Sequence, residues 1–567
     1  MVFKSTIPDV PIPEQPFPYL LLNSLWSYGQ KTALIDAQTE ARVSNQDLYF
    51  HSLSVASFLE SRHFHHGDVA CAAMHNCLEY FPIFLGTVLQ GGALSLASYA
   101  YTECGATLVI LILNLRLSDE LEYQFKDCGA KIVFCHQVNF DVVFKAAHKC
   151  PKITCIVIVS DHKSTKPEHL PFGVVPFKDV LACQPNVESP SVDFEVHRDI
   201  AILPYSSGTT GAPKGVMISH SNLAHQVAIF GDHVKEQVLK KLDPNYSYLK
   251  DTDVTFLPMY HIFGFCALMT NIVNGLTAVV LSHFDPEVYC SSIEKYKPLH
   301  LKMVPPILLL LSKHPIVNKY DLSSVRVIVS GAAPAGKELC EDVMKRLPKL
   351  RLIGQGYGMT ETTSATLLLC CDKDPKFGSS GKLVSNTEMK IVDLDGKELG
   401  VNERGEVWFR GGTIMMGYLN RPQATADCLD DEGWMHTGDI AYIDEDGYVF
   451  IVDRLKELIK VKGNQVPPAE LEDLLLTHPK IQDAAVIGVS DKEAGEIPMA
   501  FVVRKTEDLG AQEVMDFVKD RVARYKQLKG GVQFVHEIPK SPSGKILRRF
   551  LRDEAELIMK TKKESKL

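Results

Sequence analysis

Two hydrophobic periods alternate along the first part of the chain. The run LYFHSLSVASFLESR at 48–62 sets apolar residues three and four apart, the spacing of a helix with one inward face. KIVFCHQ at 131–137 and CIVIVS at 155–160 are instead short, β-branched and continuously apolar, as strands covered on both faces must be. KPLHLKMVPPILLLLSKHP at 297–315 then leads into VRVIVSG at 325–331, repeating the rhythm. This order predicts parallel α/β layers. Over 388–416 the pattern shortens to strands and turns, and Asp395-Gly396 and Asp446-Gly447 read as hairpin-like turns between apolar runs.

A boundary is predicted just after VFIVDR, dividing the chain into 1–453 and 454–567. The second part reads as a compact α+β domain of about 110 residues. PPAELEDLLLTHP and AQEVMDFVKDRV have helical spacing, DAAVIGVS and MAFVVRK read as strands, and the loop PKSPSGKILR precedes a charged helix. Two charge-poor stretches do not read as membrane spans. Residues 81–115 carry only Glu103 but are broken by Pro82, Gly91, Gly92 and Gly105. Residues 262–282 lack Asp, Glu, Lys and Arg but contain Asn271, Asn274 and Gly275, so a buried helix and the strand TAVVLS are expected. Neither reaches the ~20 apolar residues a span needs.

Composition sharpens this picture. Of 567 residues, 46% are hydrophobic and 23% charged, which places the chain among folded globular proteins. Sixty Lys and Arg against 69 Asp and Glu leave a net charge of −9, a field that repels polyanions and argues against a nucleic-acid surface. The 14 cysteines form no paired C-x-x-C frame and read as reduced thiols of an intracellular protein. The proline-rich start does not read as a signal peptide. At the other end, Ser565-Lys566-Leu567 reads as a peroxisomal address, which implies a peroxisomal location and an import receptor as partner.

The most informative local chemistry lies at Ser206-Ser207-Gly208-Thr209-Thr210-Gly211-Ala212-Pro213-Lys214-Gly215, after the strand-like DIAILPY. Small residues let backbone amides approach an anion, hydroxyls add donors, and Lys214 adds charge: equipment for neutralising a polyphosphate. The spacing is not that of a Walker A loop, because Gly215 follows Lys214. Nor is GQGYG at 354–358 a dinucleotide fingerprint, since Met359 stands where its third glycine is due.

Taken with YSSGTTGAPKGV, the segments LPMYHIFG, VSGAAPAGKEL, GQGYGMTETT, GWMHTGDI, DRLKELIKVKGNQVPPAELE and PKSPSGKILRR resemble the adenylate-forming superfamily. The nearest branches are the 4-coumarate–CoA ligase-like and fatty acyl–CoA synthetases, related to beetle luciferase. The motifs run in family order from about residue 200 to 549, and a weaker likeness extends to the N-terminus. One departure stands out: Cys104–Asp119 separates YTE from ELEY, which the family joins almost directly.

The resemblance implies a large N-terminal domain of layered mixed sheets with a small β-barrel-like subdomain, and a small mobile α+β C-terminal lid. It implies an AMP-forming acid–CoA ligase using ATP, Mg²⁺ and coenzyme A. The loop 206–215 would clamp the β- and γ-phosphates, Thr360 would donate to the α-phosphate, and Glu361 would hold the magnesium ion. Ala332, Ala333 and Tyr357 resemble the adenine site, and Asp439 with Arg454 the ribose site. Lys545 resembles the lysine that reaches from the lid to the reacting carboxylate, and His261 the histidine beside it. Lys456 corresponds to the hinge, with Lys460 and Gln465 on the face used for thioester formation. Tyr260, Gly331 and Gly356 correspond to the acyl pocket. The peroxisomal ending points to medium- or long-chain fatty or related lipid-derived acids. An aryl acid of the 4-coumarate type is the alternative, and an inactive nucleotide-binding scaffold is the alternative of another class.

Overall fold

The computed structural model describes the chain apart from residues 99–106, 161–169, 172, 187–191, 207–212, 372–375, 456, 463, 492–493, 541–545 and 565–567. Side chains at 107–117, 465, 557 and 559–564 also lie outside the description. Ser207, Gly208, Thr209, Thr210, Gly211, Lys456, Lys545 and the terminal tripeptide therefore fall outside the described residues. Every other assigned site residue lies within them, Gln465 by its backbone alone.

The predicted rhythm produces an eight-stranded sheet. Its parallel interior runs through Ile200–Ser206, Ala93–Ala97, Val69–Ala73, Ile132–His136 and Cys155–Val159. Ile132–His136 and Cys155–Val159 are buried at every position, which is why they carry no polar alternation. Lys214–Ser219 pairs antiparallel with Ile200–Ser206, and the short strand Gly417–Tyr418 pairs with it in turn. A four-stranded sheet contains Thr252–Thr255 and Thr277–Val280, and a three-stranded parallel sheet holds His300–Met303, Val327–Ser330 and Leu352–Gln355. Some helices between the strands begin on explicit side-chain caps. Ser44 and Asp47 form a reciprocal capping box for Asn45–Ser61, and Asp285 caps Pro286–Tyr296. The charge-poor stretch at 262–282 is the buried helix Ile262–Val273 followed by Thr277–Val280, as its asparagines and glycine predicted. Among the described residues no helix is long and apolar enough to cross a membrane.

From residue 387 the turn-rich region forms a five-stranded antiparallel sheet: Val2–Lys4, Thr387–Val392, Gly405–Gly411, Met435–Ile443 and Val449–Arg454. Asp446-Gly447 turns between its last two strands, and Tyr448 bridges back to Lys382, at the end of a further three-stranded sheet. The backbone from Thr107 onward in the unusual 104–119 segment belongs to the helix Thr107–Cys128.

The C-terminal α+β domain is built on the long hairpin Ile481–Asp491 and Gly495–Arg504. Ile459–Val461 and Gly531–Phe534 also pair with Gly495–Arg504, and the helices Pro468–Leu476, Ala511–Lys519 and Arg548–Glu564 pack around the sheet. Arg548 holds this domain together from inside. Its guanidinium meets Glu472 at 2.7 and 2.8 Å and Glu457 at 3.3 Å, all three side chains being about 10% exposed. Asp453, at the end of the large domain's last strand, accepts from the Ala469 amide in the first turn of Pro468–Leu476 at 3.2 Å.

Burial pushes the Asp453 carboxyl up to about 6, against the hydrogen bonds from Arg454 and Ala469 and the nearby Arg548 charge. The folded state thus holds this proton more tightly than the unfolded chain does. The group's contribution to stability is complete below the ordinary carboxylate range and is lost as pH rises through about 6. Asp453→Asn keeps an acceptor for Ala469 and removes the charge. The difference in melting temperature between variant and parent is expected to open in the variant's favour across that pH window, measured by calorimetry from pH 4.5 to 8. A pH-independent difference would contradict this account.

Candidate active site

A cavity of about 580 Å³ opens where the sheet layers meet the end of the strand Val449–Arg454. Its wall gathers Ser206, Lys214, Tyr260, His261, Gly331, Ala332, Gly356, Tyr357, Thr360, Glu361, Asp439 and Arg454 from segments up to 248 residues apart. Ala333 follows in the chain without lining the cavity. Lys460 stands exposed on Ile459–Val461, opposite Gln465 in the pairing strand and away from the cavity wall.

One end is organised around Asp439. The antiparallel pairing of Met435–Ile443 with Val449–Arg454 sets Asp439 directly across from Arg454. Arg454 Nε approaches Asp439 Oδ1 at 3.3 Å, and the Tyr357 hydroxyl donates to Asp439 Oδ2 at 2.5 Å. Burial, and after it the neighbouring carboxylate, push the Tyr357 phenol far above its ordinary range, so it remains a donor. Gly438, at φ +72°, makes the turn that presents Asp439. That turn is itself held: Glu406 Oε1 accepts from the Gly438 amide at 2.7 Å, and Gly438 O accepts from Leu455 N at 2.7 Å.

The other end is organised around Glu361, only 6% exposed. Tyr418 donates its hydroxyl to Glu361 Oε1 at 2.8 Å, and Lys214 Nζ lies 4.6 Å from the centroid of the Tyr418 ring. The short strand Gly417–Tyr418 brings this tyrosine in, since Val216 pairs with Tyr418. A carboxylate so fixed suits a hard cation. Among the described residues no group of three or more His, Cys, Asp or Glu side chains could hold a metal, so an ion there would complete its shell with phosphate and water oxygens, as Mg²⁺ commonly does.

His261 and the glycines Gly331, Gly356 and Gly358 also line the cavity. His261 caps the helix Ile262–Val273, with Nδ1 accepting from Phe263 N at 3.3 Å. That contact commits Nδ1 as acceptor and puts the neutral ring's proton on Nε2. Ala332 adopts φ +69°, a left-handed conformation that costs a non-glycine residue energy and concentrates at functional sites. Gly358 is required sterically: a Cβ there would lie 1.7 Å from Ser364 O of the pairing strand.

Residues 24–419 match the family model described as AMP-binding enzyme, and residues 470–545 match the AMP-binding enzyme C-terminal domain. The chain belongs to the AMP-binding enzyme family. This AMP-binding enzyme is 40% identical over 564 residues to 4-coumarate–CoA ligase 1 of Petroselinum crispum, covering 97% of this chain and 96% of that protein. Its fold is similar to that of the anthranilate CoA ligase AuaEII in complex with anthranoyl-AMP, with TM-score 0.82 and 25% identity over 97% of this chain and 99% of that one. It is likewise similar to o-succinylbenzoate coenzyme A synthetase MenE from Bacillus subtilis, in complex with ATP and magnesium ion, with TM-score 0.76 and 25% identity over 94% and 99%. The chain is an AMP-forming acid–thiol ligase, as the resemblance implied, and the inactive-scaffold alternative is set aside.

Several lining residues escaped the reading of motifs. Tyr418, Glu406 and Phe230 carry no spacing signal, because they reach the site through strand pairing and helix packing, while Phe263 sits in LPMYHIFG without having been given a role there. Tyr418→Phe would leave a buried carboxylate without its hydroxyl donor. The variant is expected to be about 1–3 kcal/mol less stable in the unfolding transition of the large domain, read by chemical denaturation.

Proposed function

We propose that this enzyme joins an aryl carboxylic acid of the 4-coumarate class to coenzyme A, using ATP and Mg²⁺. The observation that carries the reading is the apolar part of the cavity wall. There the rings of Phe230, Tyr260 and Phe263 accompany Gly331 and Gly356, and a Cβ on Gly331 would come within 3.2 Å of the Phe263 ring. Flat side chains separated by side-chain-free positions suit a flat, rigid acid. The 40% identity with a 4-coumarate–CoA ligase supports the same reading, as does the likeness to an anthranilate CoA ligase. The medium- or long-chain fatty acid expected first from the sequence gives way to this aryl-acid alternative.

A carboxylate is a poor acyl electrophile, so it is first activated. One of its oxygens attacks the α-phosphorus of ATP, the bond to pyrophosphate breaks, and an acyl-adenylate forms. Both reactants are anions, and the site's task is to align and neutralise them. Lys214 faces the β- and γ-phosphates from the end of the loop 206–215, and Thr360 donates to the α-phosphate. Tyr357 stacks on adenine beside Ala332 and Ala333, while Asp439, set beside Arg454, accepts from the ribose hydroxyls. Glu361, oriented by Tyr418, would hold Mg²⁺, whose charge offsets that building on the phosphate oxygens. His261 presents Nε2–H towards the carboxyl group, and Lys545 supplies a further cation from the C-terminal domain. In the second step the coenzyme A sulfur, as thiolate, attacks the acyl carbon and AMP leaves. Between the two steps a turn of the small domain about Lys456 exchanges the Lys545 face for the one carrying Lys460 and Gln465.

Acid-dependent ATP–pyrophosphate exchange tests this reading, with cinnamate-type acids compared against fatty acids of several chain lengths. Exchange driven best by the aryl acids is expected; exchange driven only by fatty acids would overturn the substrate class, and none at all would overturn the activity. Lys545→Ala is expected to slow adenylation about 10²–10³-fold while using supplied acyl-adenylate and coenzyme A nearly normally. Lys456→Pro should do the reverse, impairing thioester formation more than adenylation.

A further inference from the structure

The polar network behind the strand Lys214–Ser219 has itself been given no chemical role, yet it grips both shoulders of the loop 206–215. Tyr205, at the first shoulder, donates its hydroxyl to Asp127 Oδ2 at 2.8 Å. Pro213, at the second, accepts through its carbonyl from the Tyr123 hydroxyl at 3.1 Å. Arg421 joins the two grips, donating through Nη2 to Asp127 Oδ1 at 2.9 Å and to the Tyr123 hydroxyl at 3.2 Å. Each phenol therefore donates one hydrogen bond, and that of Tyr123 accepts the one that Arg421 supplies. Nothing in the relay competes for the same proton.

The network ties three elements into one corner. Tyr123 and Asp127 stand on the helix Thr107–Cys128, and Tyr205 and Pro213 flank the hairpin of Ile200–Ser206 with Lys214–Ser219. Arg421 follows Gly417–Tyr418, and Leu419 N donates to Gly215 O at 2.8 Å. Gly215 also makes room for the Tyr205 ring, since a Cβ there would lie 3.1 Å from Tyr205 Cζ. Lys214 is thus held from both sides, through Pro213 before it and Gly215 after it. Lys214 and Ser206 pair across the hairpin, and both line the cavity. Asp127 is 8% exposed, so its charge acts where water screens it weakly.

We propose that Tyr123 and Asp127 are positioning residues for ATP, acting through Pro213 and Tyr205 to set Lys214 and Ser206 at the phosphate end of the cavity. The proposal rests on the ligase reading above. Both residues stand in the part of the helix that follows the unusual 104–119 stretch.

The test uses the full-length protein with Tyr123→Phe, Asp127→Asn and the double variant. In acid-dependent ATP–pyrophosphate exchange, each single variant is expected to raise the KM for ATP about threefold to tenfold, the worth of one buried hydrogen bond. The KM for the acid, and thioester formation from supplied acyl-adenylate, should stay within about twofold of the parent. The double variant should lose less than the product of the singles, because both act on one corner. Tyr123→Phe keeps the ring and decides the matter if Asp127→Asn does not fold. An unchanged KM for ATP would overturn the proposal, as would equal losses in both half-reactions with a lowered melting temperature. If the parent enzyme exchanges and the variants match it, this inference alone fails. If the parent does not exchange, the ligase reading and this inference fail together.

Discussion

A carboxylate withdrawn from water stays charged only where donors replace the water it gave up. The cavity is arranged around two such groups. Asp439 is met by the Arg454 guanidinium and the Tyr357 hydroxyl, Glu361 by the hydroxyl of Tyr418. Much of the surrounding architecture follows from placing those donors. Val449–Arg454 must pair in register with Met435–Ile443, and Gly417–Tyr418 must reach across to Lys214–Ser219. Neither partner of either carboxylate is its neighbour in sequence. The site therefore forms only when the antiparallel sheet and the eight-stranded sheet have both come together.

Electrostatics then divides the cavity by function. At Tyr418 a carboxylate meets the hydroxyl and the Lys214 ammonium lies over the ring, an arrangement able to hold a metal cation beside polyanionic phosphate. The Asp439 end is an acceptor backed by a cation, suited to neutral hydroxyls. Another part of the wall is aromatic and glycine-rich, a surface that offers shape and apolar contact rather than charge.

Much of this was legible in the chain. Fully apolar strands such as IVFCH and CIVIV announced a doubly covered parallel sheet, and the break in period near 388 announced the antiparallel one. Motif residues that sit at strand ends and turns, such as Tyr357, Thr360, Glu361 and Asp439, converge on one cavity. What stayed hidden depends on register. Tyr418, Glu406 and Asp127 are ordinary polar residues of short strands or a helix, and only contacts made across tens of residues of chain give them partners. The ring-lined wall on which the aryl-acid proposal rests is likewise a product of packing, since Phe230 joins it from the helix His220–Asp232.

The small domain carries its own instruction about how it can travel. Arg548 clasps Glu457, one residue beyond Lys456, together with Glu472 on the helix Pro468–Leu476. Twist introduced at Lys456 would therefore find no slack downstream, and the helix and the sheet would swing together like a key turned by its bow. The bond between Asp453 and Ala469 spans that pivot, so it is the catch such a motion would have to slip.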